Sequence, residues 1–138
     1  MKVYHNEQIT IFLEKRIHLL HLVWTGIPTS ENFYNAFIAS LQVAVQHQVK
    51  KWLIDQRNLT MFNPKDLQWW IQQWLPEAAR HLSSKSKIAI IQHDLNQFGK
   101  LGSDRLLRAV FALNANLKSR YFLQEDEARE WLVPKNRY

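Results

Sequence analysis

Two stretches near the start of the chain alternate between apolar and polar residues and predict two β-strands. In QITIFL, residues 8–13, Ile9, Ile11 and Leu13 recur at every second position, and IHLLHLVW, residues 17–24, repeats the pattern. A period of two is typical of a strand with one buried face. Because only a short charged break separates the runs, we expect an antiparallel β-hairpin.

The remainder of the chain alternates between helical periodicity and short apolar runs. Ser30 is the predicted N-cap of a helix that continues to about His47, and Asn63 with Pro64 predicts a second helix start. Further helices are predicted after Ser103 or Asp104 and over residues 125–132. The short apolar runs between them predict strands over residues 52–54, 87–92 and 120–123.

The resulting order, β-β-α-β-α-β-α-β-α, predicts an α/β fold. Strands that alternate with helices form parallel sheets through crossover connections. We therefore expect a mixed sheet of four or five strands, with an N-terminal antiparallel hairpin, mostly parallel strands after it, and helices packed on it. At 138 residues the chain is predicted to form one domain over residues 1–138.

Composition excludes several kinds of chemistry. The chain has no cysteine, which excludes thiol catalysis, disulfides and cysteine-bound zinc. Its six histidines show no metal-binding spacing, and its three glycines form no phosphate-binding loop. We therefore expect no metal, no cofactor and no enzymatic activity. No apolar run approaches the ~20 residues that span a bilayer, and no signal peptide is apparent, which favours a cytoplasmic protein that does not cross the membrane.

The positive charge is concentrated in one part of the sequence. The whole chain carries a net charge of +6, and residues 80–120 alone hold eight basic and two acidic residues. This segment is either a solvated surface or a site for phosphates or anionic lipid. Arg105 and Arg108, three apart on a predicted helix, are its candidate binding residues. No recognition helix or stacking motif accompanies them, so nucleic acid is not the favoured partner.

Three polar residues follow the apolar strand WLI and form a candidate binding site. Asp55, Arg57 and Asn58 lie where that strand is predicted to end, and ligands of open α/β sheets bind at the carboxyl ends of strands. Asp55 and Arg57 are two apart, so they face the same side and can pair or hold a polar ligand. Alternatively, Asn58 forms a turn and Asp55 accepts backbone N–H bonds, with Arg57 as its ion partner.

Three of the six tryptophans lie in one predicted helix. Trp70 and Trp74 are four apart and are predicted to lie on its buried face. Trp69 points about 100° away from them. An exposed Trp69 is a candidate contact for a second copy of the chain or for a lipid.

The element order and five segments resemble the SpoIIAA-like, or STAS-like, domains of bacterial anti-sigma-factor antagonists. The segments are ITIFLEKRIHLLHLVWTG, WLIDQRN, NPKDLQWWIQQWLP, KIAIIQ and YFLQEDEAREWL. The resemblance implies a non-enzymatic regulatory or protein-interaction domain whose partner is another protein or a second copy of the chain. These domains are also similar in fold to CRAL-TRIO domains, which implies binding of a lipid or other small apolar ligand as the alternative.

Well-studied members of this class carry a phosphorylated serine at the start of the helix that follows the central strand. In this chain Asn63 and Pro64 stand at that place, and no serine occurs between residues 41 and 82. The resemblance therefore does not extend to a phosphorylation switch there.

Overall fold

A computed structural model describes residues 1–82, 85–93 and 118–135, which form a mixed α/β structure around one sheet. The sheet has six strands, which lie in chain order: β1 (Lys2–His5), β2 (Ile9–Glu14), β3 (Leu19–Gly26), β4 (Lys51–Leu59), β5 (Lys87–Ile91) and β6 (Lys118–Phe122). Strands β1, β2 and β3 pair antiparallel, and β3 to β6 pair parallel. The predicted α/β class, hairpin and parallel strands are confirmed.

The sheet is larger than the predicted four or five strands because of β1. This strand has only four residues, and its pairing with β2 is irregular between Lys2 and Tyr4. Val3 and Tyr4 nevertheless pack against the core. A short edge strand with two polar ends does not show a clear alternation, which is why the pattern did not indicate it.

Four α-helices accompany the sheet in the described part of the chain. They are α1 (Ser30–Gln46), α2 (Pro64–Trp69), α3 (Leu75–His81) and α4 (Glu125–Leu132), with a π-helical turn over Trp70–Trp74 that joins α2 to α3. The helix predicted after Ser103 or Asp104, with Arg105 and Arg108, lies outside the described residues.

The N-cap of α1 differs by one residue from the prediction. Thr29, not Ser30, accepts the hydrogen bond from the Asn32 backbone N–H, at 3.1 Å. The Ser30 hydroxyl instead donates to the buried carboxylate of Asp66 at 2.8 Å. This bond ties the first turn of α1 to the first turn of α2, and two adjacent hydroxyl residues made the cap position ambiguous in the sequence.

The π-helical turn is explained by Pro76, which follows it closely in the chain. The Leu75 N–H donates to the Trp70 carbonyl five residues earlier, and Pro76 has no N–H to continue an α-helical ladder. A proline ring also crowds the carbonyl four residues before it. The helical run therefore widens by one residue just before Pro76 and continues as α3.

Both faces of the sheet are covered, and they are covered by different helices. Helices α1, α2 and α3 and the π-helical turn pack on one face, whose strand residues include Trp52, Ile54 and Ile88. Helix α4 packs on the other face, against Leu53 and Ala89 among others. Adjacent residues of β4 and β5 point to opposite faces, so two cores form on one sheet. None of the described helices is long and apolar enough to span a bilayer.

Candidate functional site

Strand β4 contains an irregularity immediately after Asp55. Val23 of β3 pairs with Asp55, but two residues later Thr25 pairs with Asn58, so β4 has one extra residue over this interval. As a result Ile54 and Leu59, five residues apart, contribute to the same core face. An uninterrupted strand would place them on opposite faces, so the arrangement is that of a β-bulge.

The Asp55 carboxylate binds both the backbone and the side chain of Arg57. Its Oδ1 accepts hydrogen bonds from the Arg57 backbone N–H and from Nε, each at 3.0 Å. Its Oδ2 accepts from Nη2 at 2.7 Å. Asp55 thus satisfies a backbone N–H at the bulge and forms a two-point ion pair with the guanidinium.

Two residues of α4 and one of β2 extend this ion pair into a network. Arg57 also contacts Glu125 at 3.2 Å, and Glu125 accepts from Arg129 at 2.9 Å. Arg129 donates in turn to both oxygens of Glu14, at 3.0 and 2.9 Å. The network joins β2 and β4 to α4, and it joins residues as far apart in sequence as Glu14 and Arg129.

The charged neighbours shift the pKa values of the network. Burial by itself would raise the pKa of Asp55, but the hydrogen bonds from Arg57 outweigh it and hold that pKa below its ordinary value. Hydrogen bonds from Arg129 likewise lower the pKa of Glu14. The pKa of Arg129 is raised, first by its hydrogen bond with Glu14. All three groups are therefore ionised at neutral pH.

His21 lies beside the network without joining it. Its Nε2 is buried and has no hydrogen-bond partner among the described residues, and burial lowers the pKa of the imidazole although Glu125 and Asp55 oppose this. Potential metal-ligating atoms of His21, Asp55 and Glu125 lie within 4.8 Å of one another. Both carboxylates, however, already bind guanidinium groups. A metal ion there would have to displace Arg57, and the positive charge of Arg129 would repel it. The donor set suits internal ion pairs better than a metal.

The other candidate residues lie apart from this network. Strand β4 continues to Leu59, so the prediction that it ends before Asp55 is wrong, and Asp55, Arg57 and Asn58 lie within the strand. Asn58 is exposed and does not form the turn considered above. Trp70 and Trp74 are buried on the core face as predicted. Trp69 is half-buried, and its ring packs on Tyr34 with centroids 4.6 Å apart. Whether Asp55, Arg57, Asn58 and Trp69 bind a partner stays a prediction.

Two exposed apolar side chains lie at neighbouring strand ends, where the sequence had indicated only polar residues. The Thr60 N–H donates to the Gly26 carbonyl at 2.8 Å. Ile27 and Met61 follow these two residues directly and are 59% and 46% exposed. We call Ile27, Met61 and the neighbouring Asn58 the exit surface. The sequence alone does not indicate this surface, because only the pairing of β3 with β4 brings its residues together.

A second surface lies between α1 and the helical run that follows β4. Ile38, Leu41 and Val45 of α1 face Trp69 and Gln73 across a groove of about 560 Å³. Ile38 and Val45 are 49% and 45% exposed. We call this the α1–α2 groove. An internal cavity on the same face of the sheet is only about 20 Å³, which is near the size of one water molecule.

The same architecture occurs in solved structures of low sequence identity. An uncharacterised protein of the DUF3478 family with a SpoIIAA-like fold, from Shewanella loihica PV-4, matches with a TM-score of 0.61 and 18% identity over 95% of this chain and 99% of that one. An anti-sigma factor antagonist from Mycobacterium paratuberculosis matches with a TM-score of 0.55 and 12% identity, over 94% and 98%. The fold is SpoIIAA-like. No protein-family model and no curated protein match the sequence.

The helix start after the central strand of this SpoIIAA-like fold has no phosphoacceptor serine. Asn63 caps α2 by accepting a hydrogen bond from the Lys65 backbone N–H at 2.9 Å, and Pro64 is the first helical residue. Thr60 lies before the helix, and its backbone N–H is used in the pairing with Gly26. The cap is thus built from residues that cannot be phosphorylated.

Proposed function

We propose that this chain is a non-enzymatic, single-domain regulatory protein of the bacterial cytoplasm that acts by binding another protein. The observation that carries the proposal is the exit surface, where Ile27 and Met61 are both exposed and each follows one of two hydrogen-bonded residues at the carboxyl ends of β3 and β4. Ligand sites of open α/β sheets form at these ends. The SpoIIAA-like fold and the likeness to an anti-sigma factor antagonist support a protein as the partner.

The state of the charged residues supports binding over catalysis. Within the described residues, Glu14, Asp55 and Glu125 all accept hydrogen bonds from guanidinium groups. A general base needs a carboxylate that is available to a substrate proton, and these oxygens are engaged internally. The exposed apolar side chains of Ile27 and Met61 are, by contrast, available for contact with a protein partner.

The test uses the purified chain to capture a partner from a lysate of its source organism. The Kd of the purified partner is then measured. We expect the double variant Ile27→Asp/Met61→Asp to weaken binding of that partner at least about 30-fold, because two buried apolar contacts become desolvated charges. Val45→Asp is the matched control, since Val45 is similarly exposed but lies in the α1–α2 groove. It should change the Kd less than about twofold.

Two results would overturn this assignment. If the Ile27/Met61 variant bound the partner as tightly as the unmodified chain, the exit surface would not be the contact. If Val45→Asp abolished binding instead, the partner would use the α1–α2 groove. Circular dichroism of both variants must show the unmodified spectrum, so that loss of binding is not loss of folding.

A second function is favoured by the α1–α2 groove, namely binding of a small apolar ligand. Its volume of about 560 Å³ falls in the range of ligand sites, about 300–1,000 Å³. Its walls carry Ile38, Val45 and Trp69, which offer apolar contact to an acyl chain. The cavity of about 20 Å³ in the core is too small for such a ligand.

Oleate is a suitable probe for the groove. Titration of the purified chain with oleate below its aggregation concentration should change tryptophan fluorescence with saturation, and Val45→Lys should weaken the response at least about tenfold because it places an ammonium group in the groove. Ile27→Lys, on the exit surface, should leave it unchanged. An unsaturable response, or equal loss in both variants, would contradict a site in the groove.

A further inference from the structure

The amino ends of the three consecutive parallel strands carry a row of lysines. Lys51 opens β4, Lys87 opens β5 and Lys118 opens β6, and the three are directly paired in register. Neighbouring strands lie about 4.8 Å apart, so the row spans about 10 Å. Residues paired in register point to the same face of the sheet, so the three side chains share one face.

Backbone hydrogen bonds extend the row to the turn before β3. The Lys50 and Lys51 N–H groups donate to the His18 carbonyl at 3.0 and 3.2 Å, and the His18 N–H donates to the Lys15 carbonyl at 3.3 Å. Arg16 lies in the same turn. We call Lys15, Arg16, Lys50, Lys51, Lys87 and Lys118 the basic edge. Only Lys87 and Lys118 belong to the basic sequence segment 80–120.

Within the described residues, none of the six cations of the basic edge forms an ion pair with a carboxylate. Like charges directly opposite on neighbouring strands destabilise a sheet, and the pairs Lys51–Lys87 and Lys87–Lys118 are two such contacts. An anion bound along the edge would turn this repulsion into attraction.

Two of the ammonium groups are held by backbone carbonyls. Lys51 donates to the Ile17 carbonyl at 2.9 Å, and Lys87 donates to the Trp131 carbonyl at 3.2 Å. Lys87 also lies 5.3 Å from the centre of the half-buried Trp131 ring. Lys15, Arg16, Lys50 and Lys118 are exposed. The edge therefore combines four exposed cations with a half-buried tryptophan beside Lys87.

We propose that the basic edge binds the anionic phospholipid headgroups of a membrane surface. Five of its six cations are lysines, which act as point charges toward several headgroups, whereas arginine is the residue that binds a phosphate at two points. Clusters of four to eight basic residues are typical of anionic-lipid binding, and tryptophan is enriched at the membrane–water interface. The described residues of this edge offer no exposed aromatic platform of the kind that binds single-stranded nucleic acid.

This inference goes beyond the proposed function and uses the opposite side of the molecule. The basic edge lies at the amino ends of the parallel strands, and the exit surface lies at the carboxyl ends of β3 and β4. A chain bound to a membrane through the basic edge would present the exit surface to solution. Membrane recruitment and partner binding can then occur at the same time.

Vesicle co-sedimentation tests the proposal. We expect the chain to bind phosphatidylcholine vesicles that contain phosphatidylglycerol, not vesicles of phosphatidylcholine alone, and binding should weaken as salt is raised. Lys50→Gln should weaken binding about fivefold, and Lys50→Gln/Lys118→Gln about 20- to 30-fold. Lys65→Gln is the matched control: it removes the same charge from an exposed site at the start of α2, and binding should change less than about twofold.

Three outcomes would overturn the proposal. The first is no binding to phosphatidylglycerol vesicles at low salt. The second is equal weakening by Lys50→Gln and Lys65→Gln, which would indicate a response to net charge alone. The third is tighter binding to an RNA or DNA fragment than to the vesicles at the same salt concentration.

The replacement Lys118→Gln should leave the unfolding temperature unchanged or raise it, because a like-charge contact with Lys87 is lost.

Discussion

Replacement of Trp74 by alanine should destabilise the folded chain by about 3–5 kcal/mol. The Trp74 ring is buried and packs on Phe37, Trp52 and Trp70, with ring centroids 5.0, 5.6 and 5.1 Å away. Its indole N–H donates to the Phe37 carbonyl at 2.8 Å. Truncation would remove these contacts at the junction of α1, the π-helical turn and β4. Domains are commonly stable by only about 5–15 kcal/mol, so the loss is large.

Urea unfolding measures this effect, and Trp69→Ala provides its control. Trp69 lies five residues earlier in the same helical run but is half-buried, with its nearest ring contact on Tyr34. Its removal should cost about half as much or less, because less apolar area leaves contact. Equal losses from the two variants, or a loss below about 1 kcal/mol for Trp74→Ala, would contradict the described packing.

The elements of this fold could be predicted because their signals are local. Alternation over residues 8–24 indicated the hairpin, and Asn63 with Pro64 marked the start of α2 where the structure has it. The short strand β1 and the bulge in β4 were not predicted. The bulge depends on how β3 and β4 pair, and a register shift leaves no local pattern in either strand.

The candidate site was predictable only as far as neighbouring positions determine it. Asp55 and Arg57, two apart on one strand, were expected to face the same side, and they do pair. Glu14 and Arg129 are 115 residues apart, so only the docking of α4 on the sheet brings them together. The exit surface and the basic edge have the same origin, because strand pairing places residues side by side that the sequence separates widely.

Replacement of Arg57 by leucine is the sharpest test of the ion-pair network. Among the described residues, the variant leaves the buried Asp55 carboxylate with only the backbone N–H of residue 57 as a hydrogen-bond partner. Removal of one partner of a buried ion pair costs about 3–5 kcal/mol. The Arg57 side chain is 36% exposed, so solvent screening reduces the expected loss to about 2 kcal/mol. Asn58→Leu, one residue further and exposed, should change stability by less than about 0.5 kcal/mol.

The pH dependence of this loss identifies its electrostatic cause. In the unmodified chain the pKa of Asp55 is below its ordinary value of 3.8, so its stabilising contribution is present above that pH and is lost as the pH falls through the folded-state pKa. Without the guanidinium, burial should raise the pKa of Asp55, so the variant instead loses stability as the pH rises. The difference between the two chains should therefore be largest near about pH 7 and shrink toward about pH 3. Urea unfolding at both pH values measures it. A difference that did not change with pH would mean that Arg57 stabilises the bulge through the packing of its side-chain stem, and that Asp55 needs no counter-ion.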